Sequence, residues 1–318
     1  MKFPVDFRFG WRAGPAPRAG LRSGFSADFR RYTRIIGVLA VLALVGLLQA
    51  CSAMKIIYNQ SPKLVYWYLD SHLDFSGAQS LQVRDELAKL QAWHRQNELP
   101  GYIAALRKLQ QKLPADMDAD AVCALVTDAR NKLTTLTERA EPAAAALAAT
   151  LSAAQLAHLE RYFAKDNARY QDEFLNAATR ERRDRRYKRT VSRAEMLYGR
   201  LDDAQLAVIG QRMDQSSFDA ERSHAETLRR QSDTLQTLQR LIAEPASPDS
   251  ATAAIRGLLE RTWNSPNSAD RGYRAQLTQE SCQTLAAIHN STTPAQRSQA
   301  IQTLRRYERE LTALSSAQ

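Results

Sequence analysis

Leu151-Ser-Ala-Ala-Gln155-Leu-Ala-His-Leu159-Glu-Arg-Tyr-Phe163-Ala-Lys-Asp-Asn167-Ala-Arg-Tyr170-Gln-Asp-Glu-Phe174 carries the two signals on which the fold turns. Ser152, followed three residues later by Gln155, reads as a capping box. Each side chain there satisfies a backbone N–H at the helix start. Leu151 precedes the cap, where a hydrophobic staple belongs. Leu156, Leu159, Phe163, Asn167, Tyr170 and Phe174 then step by three or four, as a coiled-coil seam does. A stripe this narrow needs a partner helix. Asn167 interrupts it, facing a partly hydrated gap or fixing register.

The same start recurs as Ser76…Gln79, Asp202…Gln205 and Thr293…Gln296. Phe75 and Leu201 occupy the staple position, and Pro294 sits in a first turn, where its missing N–H costs nothing. The glutamines stand 76, 50 and 91 residues apart, which excludes a fixed-period solenoid. More stripes flank them. Tyr102, Leu106, Leu109 and Leu113 stop at Pro114. Val122, Leu125, Val126, Ala129, Leu133 and Leu136 start from Asp118 or Asp120. Ala225, Leu228, Ser232, Leu235, Leu238 and Ile242 stop at Pro245. Ile255, Leu258, Leu259 and Trp263 form a short helix, and Ala300, Leu304, Tyr307, Leu311 and Leu314 the last. Period-two alternation and Asn-Gly or Asp-Gly hairpin turns are absent. The pattern predicts an all-α fold: an elongated multi-helix bundle of roughly eight helices with coiled-coil-like seams. Composition agrees. Of 318 residues only 12 are Gly and 11 Pro, and 44% are hydrophobic and 25% charged, against disorder and turn-rich β folds. A mean hydropathy of −0.45 excludes a polytopic membrane protein.

Upstream, Arg30, Arg31 and Arg34 precede the fourteen uncharged residues Ile35–Leu48, and Leu48-Gln-Ala-Cys51 follows. That is a signal-peptide n-region and h-region, too short for a spanning helix of about 20 residues. The last four residues resemble a bacterial lipobox, which implies cleavage before Cys51 and a covalent lipid on it as the chain's only added group. Ser52, not Asp, follows the Cys. By the same resemblance this implies transfer to the outer membrane, facing the periplasm. The expected organisation is a signal peptide over 1–50 (1–29 reading as an over-long start), a lipidated aromatic segment over 51–75, and an all-helical periplasmic domain over 76–318. The formal charge of +10 divides unevenly: residues 1–50 carry +6 and the remaining 268 carry +4. The mature chain is therefore close to neutral.

After the lipobox come Tyr58-Asn59, Leu64-Val-Tyr-Trp-Tyr-Leu-Asp70, Ser76…Gln79 and Trp93-His-Arg-Gln-Asn-Glu-Leu-Pro-Gly-Tyr102. Leu151…Glu160, Asn167, Tyr170 and Glu173-Phe-Leu175 follow, then an Arg-rich tract, Leu201…Gln205 and Thr293-Pro-Ala-Gln-Arg297. In this order the chain resembles a proteobacterial lipoprotein family of unknown function, over essentially all of its mature length. The resemblance implies an all-helical periplasmic lipoprotein and no established activity. The four capped starts are also similar, more loosely, to the repeats of Spy/CpxP-type periplasmic chaperones, which are much shorter.

Chemistry-bearing motifs are few. No nucleophile elbow, Walker motif, C-x-x-C or H-E-x-x-H occurs. Glu221-Arg-Ser-His224 has the spacing of one di-iron half-motif, but no second copy exists, so no metal or catalytic residue is expected. His94 and Glu98, four apart, read as a surface or helix-end pair. Cys123 and Cys282 each fall on the flank of an apolar stripe; a disulfide in an oxidising compartment and two unpaired thiols both stay open. Tyr58, Tyr66, Trp67 and Tyr68 suit either a membrane interface or the first core contact of the bundle.

Residues 180–193 hold eight basic and two acidic residues. Wheel angles set Arg182, Arg183, Arg185, Arg186, Arg189 and Arg193 on one face, with Tyr187, Val191 and Ala194 opposite. A solvated charged face is the plainer reading; contact with anionic lipid, lipopolysaccharide phosphates or acidic partners is the functional one. Nucleic acid is not an expected partner in a periplasmic setting. The expected function is non-enzymatic, chaperone-like binding of proteins or exposed apolar chains by a lipid-anchored envelope protein. An envelope adaptor is the second reading, and an enzyme with an unrecognised site the third. A concave apolar-and-basic surface favours capture, whereas a uniformly polar surface with one flat patch favours a scaffold.

Overall fold

The structure, a computed structural model, describes residues 53–244 and 246–316. The expected signal peptide, Cys51 and Ser52 lie outside the described residues. No helix among the described residues is long and apolar enough to cross a membrane. Eleven α-helices run in order: α1 (Ala53–Leu73), α2 (Gly77–Asn97), α3 (Leu99–Lys112), α4 (Ala119–Ala148), α5 (Ala153–Tyr170), α6 (Thr179–Tyr198), α7 (Asp203–Asp214), α8 (Ala220–Ala243), α9 (Pro248–Trp263), α10 (Ser268–Asn290) and α11 (Pro294–Ser315). A π-helical turn, Gln171–Leu175, continues α5. The all-α expectation holds, with more helices than the roughly eight expected. Pro100 at the second position of α3 separates it from α2, and α10 carries no apolar stripe by which to be seen.

All four expected capping boxes form, at Ser76, Ser152, Asp202 and Thr293. Their glutamines then pair across the fold, which spacing alone did not show. Gln79 and Gln155 exchange amide hydrogen bonds of 2.8 and 3.3 Å, and Gln205 and Gln296 exchange bonds of 2.7 and 2.9 Å. Each glutamine also donates to the carbonyl two residues before its partner's cap: Gln79 to Thr150, Gln155 to Asp74, Gln205 to Ser291 and Gln296 to Arg200. One side chain thus accepts from its own cap N–H and bonds its partner and the partner's loop, so the amides of the buried Gln79, Gln155 and Gln205 and the half-buried Gln296 are satisfied. These two clasps tie the start of α2 to that of α5, and the start of α7 to that of α11. Gly199, at φ 76°, turns the chain out of α6 into the second clasp. Only glycine takes that left-handed conformation without steric cost.

Beside each clasp lies a hydrophobic core. Leu113, Val122, Tyr198, Ile209, Cys282 and Leu304 belong to the first; Ala148, Leu156, Leu159, Leu238, Leu241 and Ile255 belong to the second. Full burial of a side chain such as Ile209 contributes about 1.5–3 kcal/mol. The 30 residues of α4 enter both cores, with Val122 at one end and Ala145 and Ala148 at the other. Between the two cores its packing is partial, with Leu136 half-buried and Glu141 buried. Val126, Ala129 and Leu133, expected as core, are exposed.

The α8 stripe is likewise half right. Leu235, Leu238 and Ile242 pack in the second core, but Ala225, Leu228 and Ser232 face solvent. The first half of α8 instead buries His224 and Glu226. Glu226 accepts from Arg229 at 2.7 Å and from Arg230 at 2.9 Å, so its charge is paired. His224 stacks parallel on Tyr170, centroids 5.2 Å apart. The interruption at Asn167 faces a polar partner on α8. Its amide and that of Gln231 exchange bonds of 2.8 and 3.1 Å between α5 and α8.

Part of the aromatic segment makes the core contact that its position allowed, and part of it is exposed. In α1, Tyr58 bonds His94 at 3.0 Å and Tyr66 is buried with its hydroxyl 3.0 Å from Ser80. Trp67 is 62% exposed, and Ile56, Ile57 and Tyr68 are exposed with it. The His94 ring faces Tyr58 and packs on Tyr102, while Glu98, the residue that closes α2, donates its backbone N–H to the His94 carbonyl at 2.9 Å, the helix-end arrangement that the spacing allowed.

Candidate binding cavity

A cavity of about 720 Å³ opens beside the first core. This volume lies within the range of small-molecule sites. Two helices form its long walls. On α6 the lining residues are Arg186, Arg189, Thr190, Arg193, Ala194, Leu197 and Tyr198, the three-and-four spacing of one helix face. From Arg186 to Tyr198 that face is about 18 Å long at 1.5 Å per residue. It runs from charged to apolar. On α10 the opposite wall runs from Glu280 to Ile288 and His289. The two walls match in direction, because Arg186 and Glu280 share Ser216 at one end, and Tyr198 meets His289 at the other. Leu109, Leu113, Met117, Val122 and Leu125, from α3, the following loop and α4, supply an apolar floor.

Covalent and polar ties hold this frame. Cys123 and Cys282 form a disulfide, joining the first turns of α4 to the middle of α10. The open question about these cysteines is thereby answered. Cys282 is also fully buried, deeper than its flank position implied. The Asn290 side chain bonds both the N–H and the carbonyl of Met117, at 2.9 and 3.0 Å. His289 Nε2 donates to the Ala115 carbonyl at 2.8 Å, which can only accept; a neutral His289 then accepts from the Tyr198 hydroxyl at Nδ1, 2.9 Å away. Burial lowers the His289 pKa, the bond to Ala115 opposing it and Arg297 adding to it. Burial also pushes the Tyr198 phenol up to about 12. The apolar end is thus closed by a neutral pair with its polar atoms already used.

The charged end is different. Arg186, Arg189, Arg193 and Arg212 face Glu280 alone among the charged lining residues. Burial raises the Glu280 pKa, but hydrogen bonds from Ser217 and Ser216 outweigh it and hold the carboxyl below its ordinary value. Arg186 bonds Ser216 at 2.8 Å and lies 4.4 Å over the Phe218 ring. Burial lowers its pKa, against the attraction of Glu280.

The six arginines read from the sequence therefore separate. Arg182 donates to the Phe174 carbonyl and the Thr179 hydroxyl, both at 3.0 Å. Arg183 grips Asp214 through two nitrogens and reaches the Gly210 carbonyl, binding α7 to α6. Arg185 is exposed and away from the cavity. Arg186, Arg189 and Arg193 line it. Arg189 and Arg193 are exposed at its mouth, with no hydrogen bond or ion pair among the described residues. Sequence reading missed Arg212, Glu280 and the α10 wall. Leu277, Ser281, Thr284 and Ile288 do share a face by spacing, but half of them are polar, so no apolar stripe announced it. No group of three or more His, Cys, Asp or Glu among the described residues could hold a metal ion.

Among the described residues, fold and cavity together define an all-helical protein with a graded, cation-mouthed hollow. Residues 71–262 match the model of a family of unknown function, DUF6279, and the chain belongs to that family. The matched span includes the α6 wall and ends before α10. No curated protein and no solved structure matches the chain.

Proposed function

We propose that this chain is a lipid-anchored protein of the Gram-negative envelope that captures apolar parts of other molecules without transforming them, in a chaperone-like manner. Cys51 carries the lipid, which holds the helical body at the outer membrane on its periplasmic side. The observation that carries capture is the cavity, concave, apolar and basic, where a scaffold needs only a flat polar surface with one patch. His289 and Glu280 are both committed to protein partners, which supports binding over catalysis. The outward Ile56, Ile57 and Trp67 of α1, just after Cys51, support an anchored setting, since Trp is favoured at membrane interfaces. The capped glutamine starts supply the likeness to Spy/CpxP-type chaperones.

Two measurements test the proposal. In cells, Cys51→Ala should abolish metabolic labelling of the chain with a fatty-acid analogue; equal labelling removes the anchor. A photoreactive residue in place of Leu285, a half-exposed residue of the α10 wall, should crosslink a bound molecule in the full-length chain. The same residue in place of exposed Glu160 on α5 should not. Equal crosslinking at the two positions, or none at Leu285, removes the capture reading.

A further inference from the structure

We infer that the cavity's ligand is an anionic single-chain amphiphile, a fatty acid or a phosphate-headed single-chain lipid, with Arg189 and Arg193 holding the head and the hydrocarbon running toward Tyr198. This rests on the capture reading and narrows it to one chemical class.

Charge at the mouth selects the head. Arg186 is spent on Ser216 and Phe218; Arg212 bonds Gln215 and Gln283, both at 3.3 Å, and its Nε, which has no partner, is shut off from solvent. Glu280 is spent on Ser216 and Ser217. Arg189 and Arg193 are left, four residues apart on one α6 face and without an acidic partner among the described residues. Side chains at that spacing are neighbours, about 5–6 Å apart at Cβ, so one carboxylate or phosphate can meet both guanidinium groups. A neutral or cationic head meets no complement there.

The walls select the tail. Below the arginines, α6 turns to Ala194 and Leu197, and α10 to Leu285 and Ile288. The hydroxyls between them are already committed. Thr190 donates to Arg186, Ser281 to Leu277 and Thr284 to Glu280, each to the carbonyl one turn back on its own helix. At the closed end both His289 nitrogens and the Tyr198 proton are in use. A bound peptide would bring an N–H and a C=O per residue into this lining and leave many of them without partners, at a cost of the order of a lost hydrogen bond each. An acyl chain brings none. Met117 and Met213, flexible and polarizable, adapt the lining to chains of different length.

The test uses the full chain anchored in vesicles of zwitterionic lipid. Three photoreactive diazirine probes share one sixteen-carbon chain and end in a carboxylate, a phosphate ester or an alcohol. Labelled positions are read by mass spectrometry. An anionic probe should label the α6 and α10 walls about tenfold more than the alcohol. This preference should shrink as salt screens the exposed arginines. Arg189→Gln with Arg193→Gln should bring anionic labelling down to the alcohol level and leave the alcohol unchanged. Which of carboxylate or phosphate labels more identifies the head, and a tenfold excess of either supports the inference. Equal labelling by all three probes overturns it and leaves apolar capture standing. So does cavity occupancy by a peptide crosslinked through Leu285, with no wall labelling by the anionic probes. Failure of every probe together with no crosslink at Leu285 removes both readings.

Discussion

Gln205 shows how far a single residue can be read and where the reading stops. Its capping role was legible, because a box is local: three residues of spacing and two side-chain types define it. Its bond to Gln296, 91 residues away, was not, because cap spacing says nothing about which helix start lies opposite. Gln205→Ala removes the acceptor for the Asp202 N–H and leaves both the Gln296 amide and the Ser291 carbonyl short of a partner. At about 1–3 kcal/mol for a buried group left unsatisfied, the loss should be about 2–4 kcal/mol. Urea midpoints at unchanged m-value measure it, and a shift below 1 kcal/mol would mean water replaces the amide. His289 makes a second expectation at this scale. Its folded pKa lies below the ordinary value near 6.5, so the unfolded chain binds the proton first as pH falls. The stability it contributes is present above that ordinary value and declines below it. Wild-type urea midpoints should fall from pH 7 to 5, and His289→Gln should fall less steeply over the same window. Parallel slopes would assign the acid sensitivity elsewhere, His94 being the other imidazole lowered by burial.

Among the elements, α1 carries Pro62 inside it, a residue that ordinarily interrupts a helix. The structure supplies what the proline removes. Tyr58, whose carbonyl would have met the residue 62 N–H, accepts instead from the Ser61 hydroxyl and from Gln91 on α2. The break in one helix thereby docks the next. Gln91→Ala should cost about 1–2 kcal/mol and loosen α1 first, read as faster amide exchange over 53–73 than over α5. Uniform exchange would show that Tyr58–His94 and Arg95–Asn59 suffice to hold the pair. The misread half of α8 has a different cause. Hydrophobic periodicity cannot see Glu226, a charge made fit for burial by arginines three and four residues along and by Arg274 from α10. The arginine tract divides for the converse reason. Charge count treats all arginines alike, while Arg182, Arg183 and Arg186 serve as internal fasteners.

At the scale of the whole molecule, fold class was legible because it is a sum of local signals, whereas the cavity was not, because its walls come from α3, α4, α6, α7 and α10. Those helices come from three separated stretches of the chain, and one of them has no apolar stripe. The disulfide followed the same rule, its two ends being 159 residues apart. The continuous helix α4, anchored at one end beside Val122 and at the other beside Ala148, has a thermodynamic consequence. Two hydrophobic centres would ordinarily melt as two calorimetric events. Here neither can release its stretch of α4 without fraying the helix that the other depends on, and helix formation is itself cooperative. Scanning calorimetry of the full chain should therefore give one peak, with calorimetric and van't Hoff enthalpies equal. Glycines at the exposed positions Thr135 and Glu138, between the two centres, should weaken that mechanical link and broaden the peak toward two. In such a variant heat would open one centre while its neighbour stayed closed.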